Sequence, residues 1–221
     1  MIRNLLRRLA DFERDDSLAI KIRLKTIALF KELTSPLPKP LRILDVGGTE
    51  VFWERFGFAG DSRYNITLLN LHRIETHHSN LRAVVGDARN MPEFRDGEFD
   101  IVFSHSVIEH VGDYDAQKQM VRELLRVGKR YFLQTPNFYF PFEPHFLFPC
   151  FQFLPLWLKT ILLRHFSLGW DRIPDKVRAR KIASSIRLLK SSELRELFPR
   201  AIIRGERFMG ISVSLVVYGG W

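Results

Sequence analysis

The sequence predicts an α/β fold in which a mostly parallel sheet, closed by an antiparallel strand, carries helices on both faces. Short apolar runs alternate with stretches of helical pattern between residues 41 and 137. The runs are continuously apolar, as in strands that helices cover on both sides. Two further apolar runs, at 201–208 and 211–219, are separated by a very short turn and predict a closing hairpin.

The N-terminal residues 1–38 form a predicted helical segment that precedes the domain at 39–221. Apolar side chains recur there at helical spacing in two stretches, which residues 15–17 separate. The proline-rich run TSPLPKP, residues 34–40, ends the segment and leads into the first strand. We expect the helices to pack on their own domain, although a basic amphipathic helix also suits a membrane surface.

Each element of the domain follows from its local pattern. The predicted strands are LRILDVGG (41–48), NITLLNLH (65–72), LRAVVGDARNMP (81–92), FDIVFSHS (99–106) and KRYFLQTPN (129–137). Between the last two strands, AQKQMVRELLRVG (116–128) predicts an amphipathic helix. SSELRELF (191–198) predicts a helix before the closing hairpin. Such alternation implies parallel strands joined by right-handed crossovers.

Residues 138–182 interrupt this alternation with a stretch that is dense in aromatic side chains and punctuated by prolines such as Pro141 and Pro149. The prolines exclude a single long helix. Because loops at strand ends carry function while the sheet supplies the frame, we expect an aromatic-rich helical lid or substrate cap. Interfacial contact with a membrane and contact between two copies of the chain remain alternatives.

Composition limits the class of protein. The chain has 221 residues, a formal net charge of +9 and a single cysteine, Cys150, which cannot form an internal disulfide and fits a reducing compartment. No run of about 18 uncharged apolar residues predicts a membrane-spanning helix. We expect a cytoplasmic protein, monomeric or homodimeric, that binds no nucleic acid and contacts the inner face of a membrane peripherally if at all.

Polar residues or glycines follow four of the predicted strands, at the carboxyl end of each. They are Asp45 to Gly48, Asn70, Gly86 to Ala88, and Ser104 to Ser106. In an open parallel sheet, ligands bind at this edge, where the strand order reverses. Four such ends in register predict a pocket for one nucleoside. A dinucleotide is not expected, because no G-x-G-x-x-G motif opens a helix here.

These runs resemble the class I S-adenosylmethionine-dependent methyltransferases of the small-molecule type, which have a Rossmann-like fold. The resemblance spans residues 40–137 and resumes at 188–218. The matching pieces are ILDVGG, ITLLNL, VVGDARNMP, FDIVFSHSVIEHV, ELLRVGKRYFLQTPN and ERFMGISVSLVVY. The run TPN…FPFEPH resembles a bacterial subgroup of this family. The resemblance implies S-adenosyl-L-methionine as the cofactor.

The resemblance also implies which residues contact that cofactor. All lie at strand ends, and they are Asp45, Gly47, Gly48, Asn70, Asp87, Ala88 and Ser104. In this family Asp87 would accept a hydrogen bond from the adenine amino group, and Asn70 would face the ribose hydroxyls. Two departures stand out. At equal loop length, Thr49 and Val51 replace glycines of the usual G-x-G-x-G loop, whereas a one-residue deletion would instead align Gly48 with the second glycine. Asn70 replaces an acid, which removes a charged hydrogen bond of about 1.5–3 kcal/mol.

Methyl transfer from a sulfonium needs an acceptor held in line and, for a hydroxyl, removal of its proton. A histidine is the natural base, and His145 is the first choice, with His105, at the methionine end of the cofactor, the second. Each also fits a structural role, His145 in the lid and His105 as a pocket wall. Tyr139, Glu143 and Asn137 are the predicted substrate contacts.

No metal site is predicted. His72, His77 and His78 cluster in a polar stretch without an acid or cysteine at a ligand spacing, so surface histidines are expected. Glu109 and His110 are expected to make structural contacts near the start of a helix. The chain is thus predicted to methylate a small or lipid-like acceptor, with oxygen favoured. The alternative is a non-catalytic Rossmann-like module that binds a membrane or a protein through its aromatic insertion.

Overall fold

Strands and helices alternate along the chain. The computed structural model describes residues 17–143, 145–168, 172–208 and 210–221. Its strands are β1 (Leu41–Val46), β2 (Tyr64–Asn70), β3 (Leu81–Val85), β4 (Ile101–His105), β5 (Tyr131–Pro136), β6 (Phe142–Glu143), β7 (Phe148–Pro149), β8 (Ile202–Phe208) and β9 (Ile211–Gly219). Its α-helices are α1 (Leu18–Thr34), α2 (Glu50–Arg55), α3 (Tyr114–Val127), α4 (Leu156–His165), α5 (Lys176–Ser184) and α6 (Ser191–Leu197). Short 3-10 helices cover Ile108–His110 and Phe151–Phe153.

One sheet contains seven of the described strands, in the order β3-β2-β1-β4-β5-β9-β8. The pairs β1–β2, β1–β4, β2–β3 and β4–β5 are parallel, whereas β9 runs antiparallel to both β5 and β8. This arrangement confirms the predicted fold class, including the closing hairpin. The chain leaves β1 in one direction and returns to its other side at β4, so the strand order reverses between these two strands.

Helices cover both faces of the sheet. On one face, Phe30 of α1 and Trp53 of α2 pack against Phe103 of β4 in an aromatic core. On the other face, Leu124 of α3 and Leu194 of α6 belong to a second core. The central strands β1, β4 and β5 are buried on both sides, so their runs are almost continuously apolar, which is the pattern read from the sequence.

Helix α1 matches the second of the two predicted N-terminal stretches, while the first lies outside the described residues. The Ser17 hydroxyl caps the helix by accepting from the Ile20 amide at 3.1 Å. Thr26 donates to the buried Glu206 carboxylate of β8, which ties α1 to the edge of the sheet. Within the described ranges, no helix combines the length and apolar content that crossing a bilayer requires.

The segment after β5 builds a small cluster of its own. β6 and β7 pair in an antiparallel hairpin, and α4 and α5 follow it. Its buried apolar side chains are those of Phe146, Phe151, Leu163, Ala179 and Ala183. Helix α5 ends at Ser184, just beyond the predicted boundary of the insertion. The role of this segment as a lid remains a prediction.

Phe30 should be among the most costly side chains to truncate. It is fully buried and lies at the centre of a ring cluster with Trp53, Phe58, Phe103 and Phe132. Phe30→Ala should lower the free energy of unfolding by about 3–5 kcal/mol, measured by urea denaturation. Leu24→Ala on the exposed side of the same helix should change it by less than about 0.5 kcal/mol. Equal losses in the two variants would contradict this account of the core.

Candidate functional site

The turn after β1 requires glycine at two consecutive positions. Gly47 has a φ of 76°, and its amide donates to the Leu69 carbonyl at 2.8 Å. A Cβ atom at Gly47 would lie 2.6 Å from Cγ2 of Val107, and one at Gly48 would lie 1.6 Å from Oδ2 of Asp45. Both distances are shorter than any van der Waals contact. The turn therefore exposes backbone at the edge where the strand order reverses.

The two glycines absent from the loop have a structural explanation. Helix α2 begins at Glu50, directly after the glycine turn. Thr49 is its N-cap with a φ of −129°, which is extended backbone that any residue adopts. Val51 lies on the helix and is 69% exposed. Neither position has a backbone conformation or a close contact that needs glycine.

Asn70, the residue that replaces an acid, holds the glycine turn. Its Nδ2 atom donates to the carbonyl oxygen of Gly48 at 2.9 Å. A carboxylate cannot donate this hydrogen bond, because an ionised acid only accepts. The amide therefore has a task that the usual acid could not perform. Its Oδ1 atom takes no part in this hydrogen bond.

Asp45 is fully buried beneath the turn. Its Oδ2 atom accepts from Nε1 of Trp53 at 2.7 Å. Burial raises the pKa of Asp45 to about 7, and the hydrogen bond from Trp53 only partly offsets that effect. The Asp45 carboxyl group thus lies directly under the turn. Its closeness to Gly48 excludes any residue with a side chain at position 48.

Asp87 lies at the end of β3 in a bidentate pair with Arg89. Nη2 of Arg89 is 2.6 Å from Oδ2 of Asp87, and Nε is 3.0 Å from Oδ1. The hydrogen bonds from Arg89 lower the pKa of Asp87, which keeps it ionised. Because a carboxylate offers about four acceptor positions, Asp87 retains the capacity to accept from an amino group. Ala88 is largely buried beside it.

Ser104 and His105 end β4 on opposite faces of the sheet. Ser104 is buried, and no partner for its hydroxyl is found among the residues that the structure describes. His105 lies beside Phe52, with ring centroids 5.5 Å apart. Burial, with a contribution from the charge of Arg23, lowers the pKa of His105 to about 3. An imidazole with this pKa is a weak base near neutral pH, so His105 is the weaker of the two predicted bases.

The turn after β4 has strained backbone. Ser106 has a φ of 57°, in the left-handed region that favours glycine. Two hydrogen bonds to Gln134 of β5 hold it there, one from its amide at 3.0 Å and one from its hydroxyl at 2.8 Å. The next residue, Val107, packs on Gly47. Strain of this kind is often found at functional sites.

The buried Glu143 pairs with the partly buried His145 in the insertion. Nδ1 of His145 lies 2.6 Å from Oε1 of Glu143, and Oε2 of Glu143 accepts from the Phe146 amide at 2.8 Å. Burial lowers the pKa of His145, but the hydrogen bond and the charge of Glu143 outweigh it, so the net shift is upward. Both oxygens of Glu143 are therefore engaged, one by the His145 ring and one by the Phe146 amide. Nε2 of His145 remains as the nitrogen that can act on a ligand.

Glu109 and His110 lie next to this pair. Oε2 of the buried Glu109 accepts from the Thr135 hydroxyl at 3.1 Å, and burial raises the pKa of Glu109 to about 7. The rings of His110 and His145 meet edge to face, with centroids 4.9 Å apart. Partial desolvation of the ring, with a contribution from the charge of His145, lowers the pKa of His110 to about 4. The structure therefore joins the 3-10 helix after β4 to the insertion, although the two segments are distant in sequence.

Asn137 and Tyr139 serve the turn that leaves β5. The Asn137 side chain donates to the Ser212 carbonyl at 2.8 Å and accepts from the Tyr139 amide at 3.1 Å. The side chain of Asn137 thus holds the turn in place. Tyr139 is 56% exposed and is therefore free to contact a ligand. Their predicted role as substrate contacts remains a prediction.

The histidine cluster at residues 77–78 has acidic partners that local sequence spacing did not reveal. His77 Nδ1 lies 2.8 Å from Glu50 Oε2, and His78 Nε2 lies 2.8 Å from Glu54 Oε1. Both acids come from α2. The hydrogen bond and charge of Glu50 raise the pKa of His77. These pairs join α2 to the loop before β3 at the protein surface.

Sequence reasoning missed the buried environment of Glu109 and the role of Thr135. The signal available was an acid–histidine dipeptide in the otherwise apolar run VIEHV, 107–111. An acid in an apolar run needs a buried partner, so this dipeptide was a candidate for the site. The partners themselves come from β5 and the insertion, which local pattern does not place.

Part of the chain matches a known protein family. Residues 62–131 match a family described as a methyltransferase domain. The matched segment contains β2, β3, β4 and α3 and begins after the glycine turn of β1. Two uncharacterized proteins, from two strains of Mycobacterium tuberculosis, are each 43% identical to this chain over 53 residues. That stretch covers 24% of this chain and only 18% of each relative.

Several solved structures share the fold over nearly the whole chain. PH0226 from Pyrococcus horikoshii is 16% identical with a TM-score of 0.55, covering 98% of this chain and 96% of that one. A chain from the complex of the Haloferax volcanii Trm112 methyltransferase activator with a methyltransferase is 14% identical with a TM-score of 0.52, covering 97% and 96%. The CurJ carbon methyltransferase is 13% identical with a TM-score of 0.55, covering 97% and 65%. At these identities the likeness shows the fold alone. With the family match, it confirms the predicted resemblance.

Asp45 predicts a pH dependence of stability. Its pKa is about 7 in the folded chain against an ordinary value of 3.8, so the folded state binds this proton more tightly than the unfolded state. The resulting stability is complete below about pH 4 and is lost as the pH rises through about 7. The Asp45→Asn variant has no titrating group at this position, so it does not lose this stability as the pH rises. Its unfolding free energy, measured relative to wild type by urea denaturation, should rise by up to about 1.4 kcal/mol per pH unit between about pH 5 and 7.

The exposed Asp115→Asn variant is the matched control and should show no such trend relative to wild type. Parallel pH curves for wild type and Asp45→Asn would contradict the buried, protonated carboxyl.

Proposed function

The chain has a methyltransferase domain match and a class I, Rossmann-like fold. From this premise we propose that it uses S-adenosylmethionine to methylate a small or lipid-like acceptor at oxygen. The observation that carries the proposal is the set of polar strand ends at the point where the strand order reverses. Gly47, Asn70, Asp87 and Ser104 end neighbouring strands at one edge of the sheet. Ligands of open α/β sheets bind at this edge.

Each group at this edge suits one part of a nucleoside sulfonium. The backbone at Gly47 and Gly48 permits close approach of the ligand, and Oδ1 of Asn70 can accept from a ribose hydroxyl. The ionised Asp87 can accept from the adenine amino group. The buried hydroxyl of Ser104, for which the described residues supply no partner, can bond to the ligand.

The acceptor side lies at the Glu143–His145 pair. Transfer of the methyl group is an in-line displacement at the sulfonium, so the protein must align the acceptor and remove its proton. With Nδ1 held by Glu143, His145 presents Nε2 as the proposed base. A carboxylate that fixes the tautomer and orientation of an imidazole is a common device in proton transfer.

A cavity of ≈ 200 Å³ beneath the insertion supports a small acceptor. Phe138 and Phe151 supply apolar walls, Lys159 and Arg187 supply positive charge, and Glu143 borders it. Outside the cavity, apolar side chains remain exposed on the second 3-10 helix, on α4 and at its C-cap, namely Phe153, Trp157, Ile161 and Phe166. Such a surface suits a lipid-like acceptor and peripheral contact with a membrane. The methyltransferase match makes a purely non-catalytic module the less favoured function.

Cofactor binding is the first test. Calorimetric titration with S-adenosylmethionine and S-adenosylhomocysteine should give saturable binding. Gly47→Val should abolish it, because the new side chain would collide with Val107 and fill the site of close approach. Asp87→Ala should weaken it. No heat of binding at millimolar cofactor, or unchanged affinity in both variants, would refute the proposed pocket.

Asn70→Asp tests whether the residue at this position matters more for holding the glycine turn or for binding the ribose hydroxyls. Loss of the hydrogen bond to Gly48 should loosen the turn and weaken cofactor binding by about tenfold, equivalent to about 1.4 kcal/mol. Asn65→Asp is the matched control, because Asn65 is exposed at the other end of the same strand. Tighter cofactor binding by Asn70→Asp would contradict this expectation. It would show that hydrogen bonds from the ribose to an acid add more to the affinity than the bond that holds the turn.

His145→Gln should reduce turnover by about 100-fold or more with little change in cofactor affinity, because it removes the nitrogen that acts on the acceptor. Formation of S-adenosylhomocysteine with phenolic and aliphatic alcohol acceptors provides the measurement. His165→Gln, at the exposed end of α4, is the control and should keep wild-type turnover. Wild-type turnover in His145→Gln would remove this histidine from the reaction.

A further inference from the structure

Four ionisable side chains converge where the 3-10 helix after β4 meets the insertion. Glu109, His110 and His145 each offer one ligand atom, and these atoms all lie within 4.8 Å of one another. Glu109 is buried, His145 is partly buried and His110 is exposed, so the cluster opens to solvent on one side. Glu143 contacts His145 from behind.

The carboxylate at the centre of this cluster is incompletely satisfied. Oε2 of Glu109 accepts from Thr135, but Oε1 is buried and finds no hydrogen-bond partner within the ranges that the structure describes. A buried polar atom without a partner is costly and calls for an explanation. A cation bound among Glu109, His110 and His145 would provide one.

Hydrogen bonds from neighbouring residues also orient two of these three side chains. Glu143 holds Nδ1 of His145 at 2.6 Å, which leaves Nε2 for a ligand. Metal-binding histidines usually have their other nitrogen bonded to a carboxylate or a carbonyl in this way. Thr135 orients Glu109 at the same time. Both contacts fix ligand atoms that would otherwise rotate.

We infer that Glu109, His110 and His145 form a binding site for a divalent cation of the Zn²⁺ or Co²⁺ type. Two imidazoles and one carboxylate are the donor set that such borderline ions favour, whereas Mg²⁺ and Ca²⁺ prefer oxygen ligands alone. Three protein ligands leave an open coordination position, as in catalytic zinc sites. This assignment departs from the sequence-based expectation of no metal site.

Cation binding itself does not depend on the proposed methyltransferase function. Only the effect of the cation on catalysis rests on that function. A hydroxyl acceptor that takes the open position would have its pKa lowered by the cation. The acceptor oxygen would then lose its proton to solvent, form its bond to the methyl carbon and displace the sulfur, which leaves with the bonding electron pair. In the loaded protein His145 is a ligand and the cation takes over the task of the base, so the acceptor class is an alcohol or a phenol.

A second group of possible metal ligands on the same chain can be compared with the proposed cation site. Glu50, Glu54 and His78 also bring ligand atoms within 4.8 Å of one another. There, however, Oε1 of Glu50 accepts from the amides of His77 and His78, and Glu54 bonds to the His78 ring. Its carboxylates already have protein partners at the surface. We expect no cation affinity there.

The test uses the full chain after treatment with a chelator, titrated with Co²⁺ in the absence of cofactor. Wild type should bind one equivalent, detected by calorimetry and by the visible absorption of four-coordinate Co²⁺, and Zn²⁺ should displace it. Glu109→Gln and His110→Ala should lower the affinity by more than about 100-fold, and Glu143→Gln by about 10- to 100-fold. His78→Gln should leave both the stoichiometry and the affinity unchanged.

Circular dichroism of each metal-free variant establishes that it is folded, and Glu109→Gln keeps the shape of the side chain in case His110→Ala does not fold. No Co²⁺ binding by wild type, equal affinity in wild type and Glu109→Gln, or loss of binding in His78→Gln would overturn the inference. Cofactor titration separates the two proposals. Cofactor binding without Co²⁺ binding refutes the cation site alone, and Co²⁺ binding without cofactor binding refutes the proposed methyltransferase.

Discussion

The contact between the Asp45 carboxylate and Gly48 is the constraint on which the candidate site depends. The carboxyl group is buried and bonded to Trp53, so it cannot move aside, and the backbone of the turn passes directly over it. Only a residue without a side chain fits above. Asn70 then fastens the same turn from the neighbouring strand. The result is a short turn that leaves backbone uncovered at the edge of the sheet without the additional glycines of the usual pattern.

The turn after β4 connects this loop to the cluster of Glu109, His110 and His145. Gln134 holds Ser106 in a left-handed conformation, Val107 packs on Gly47, and Glu109 follows within the 3-10 helix. Val107, which packs on the glycine turn, and two members of the ionisable cluster, Glu109 and His110, therefore belong to one continuous segment. A change at Val107 would disturb both, because the spacing between them is set by a few residues of constrained backbone.

The insertion contributes its chemistry through buried rather than exposed groups. Glu143 follows from a two-residue strand, and its two oxygens hold His145 and the Phe146 amide. The small apolar cluster around Phe151 supports this hairpin. Exposed aromatic side chains of the same segment lie on its outer surface. One segment thus supplies both an ionisable group for the site and an apolar surface for contacts outside it.

The sequence by itself determined the five parallel strands, helices α1, α3 and α6, and the closing hairpin, because apolar continuity and helical spacing are local properties. It placed Gly47, Asn70 and Asp87 at one edge for the same reason. Only the tertiary structure decided that Asn70 fastens Gly48, that Asp45 is buried beneath the turn, and that Glu109 meets His145. These contacts join segments that are far apart in sequence, and their geometry depends on strand order and burial, which no local pattern encodes.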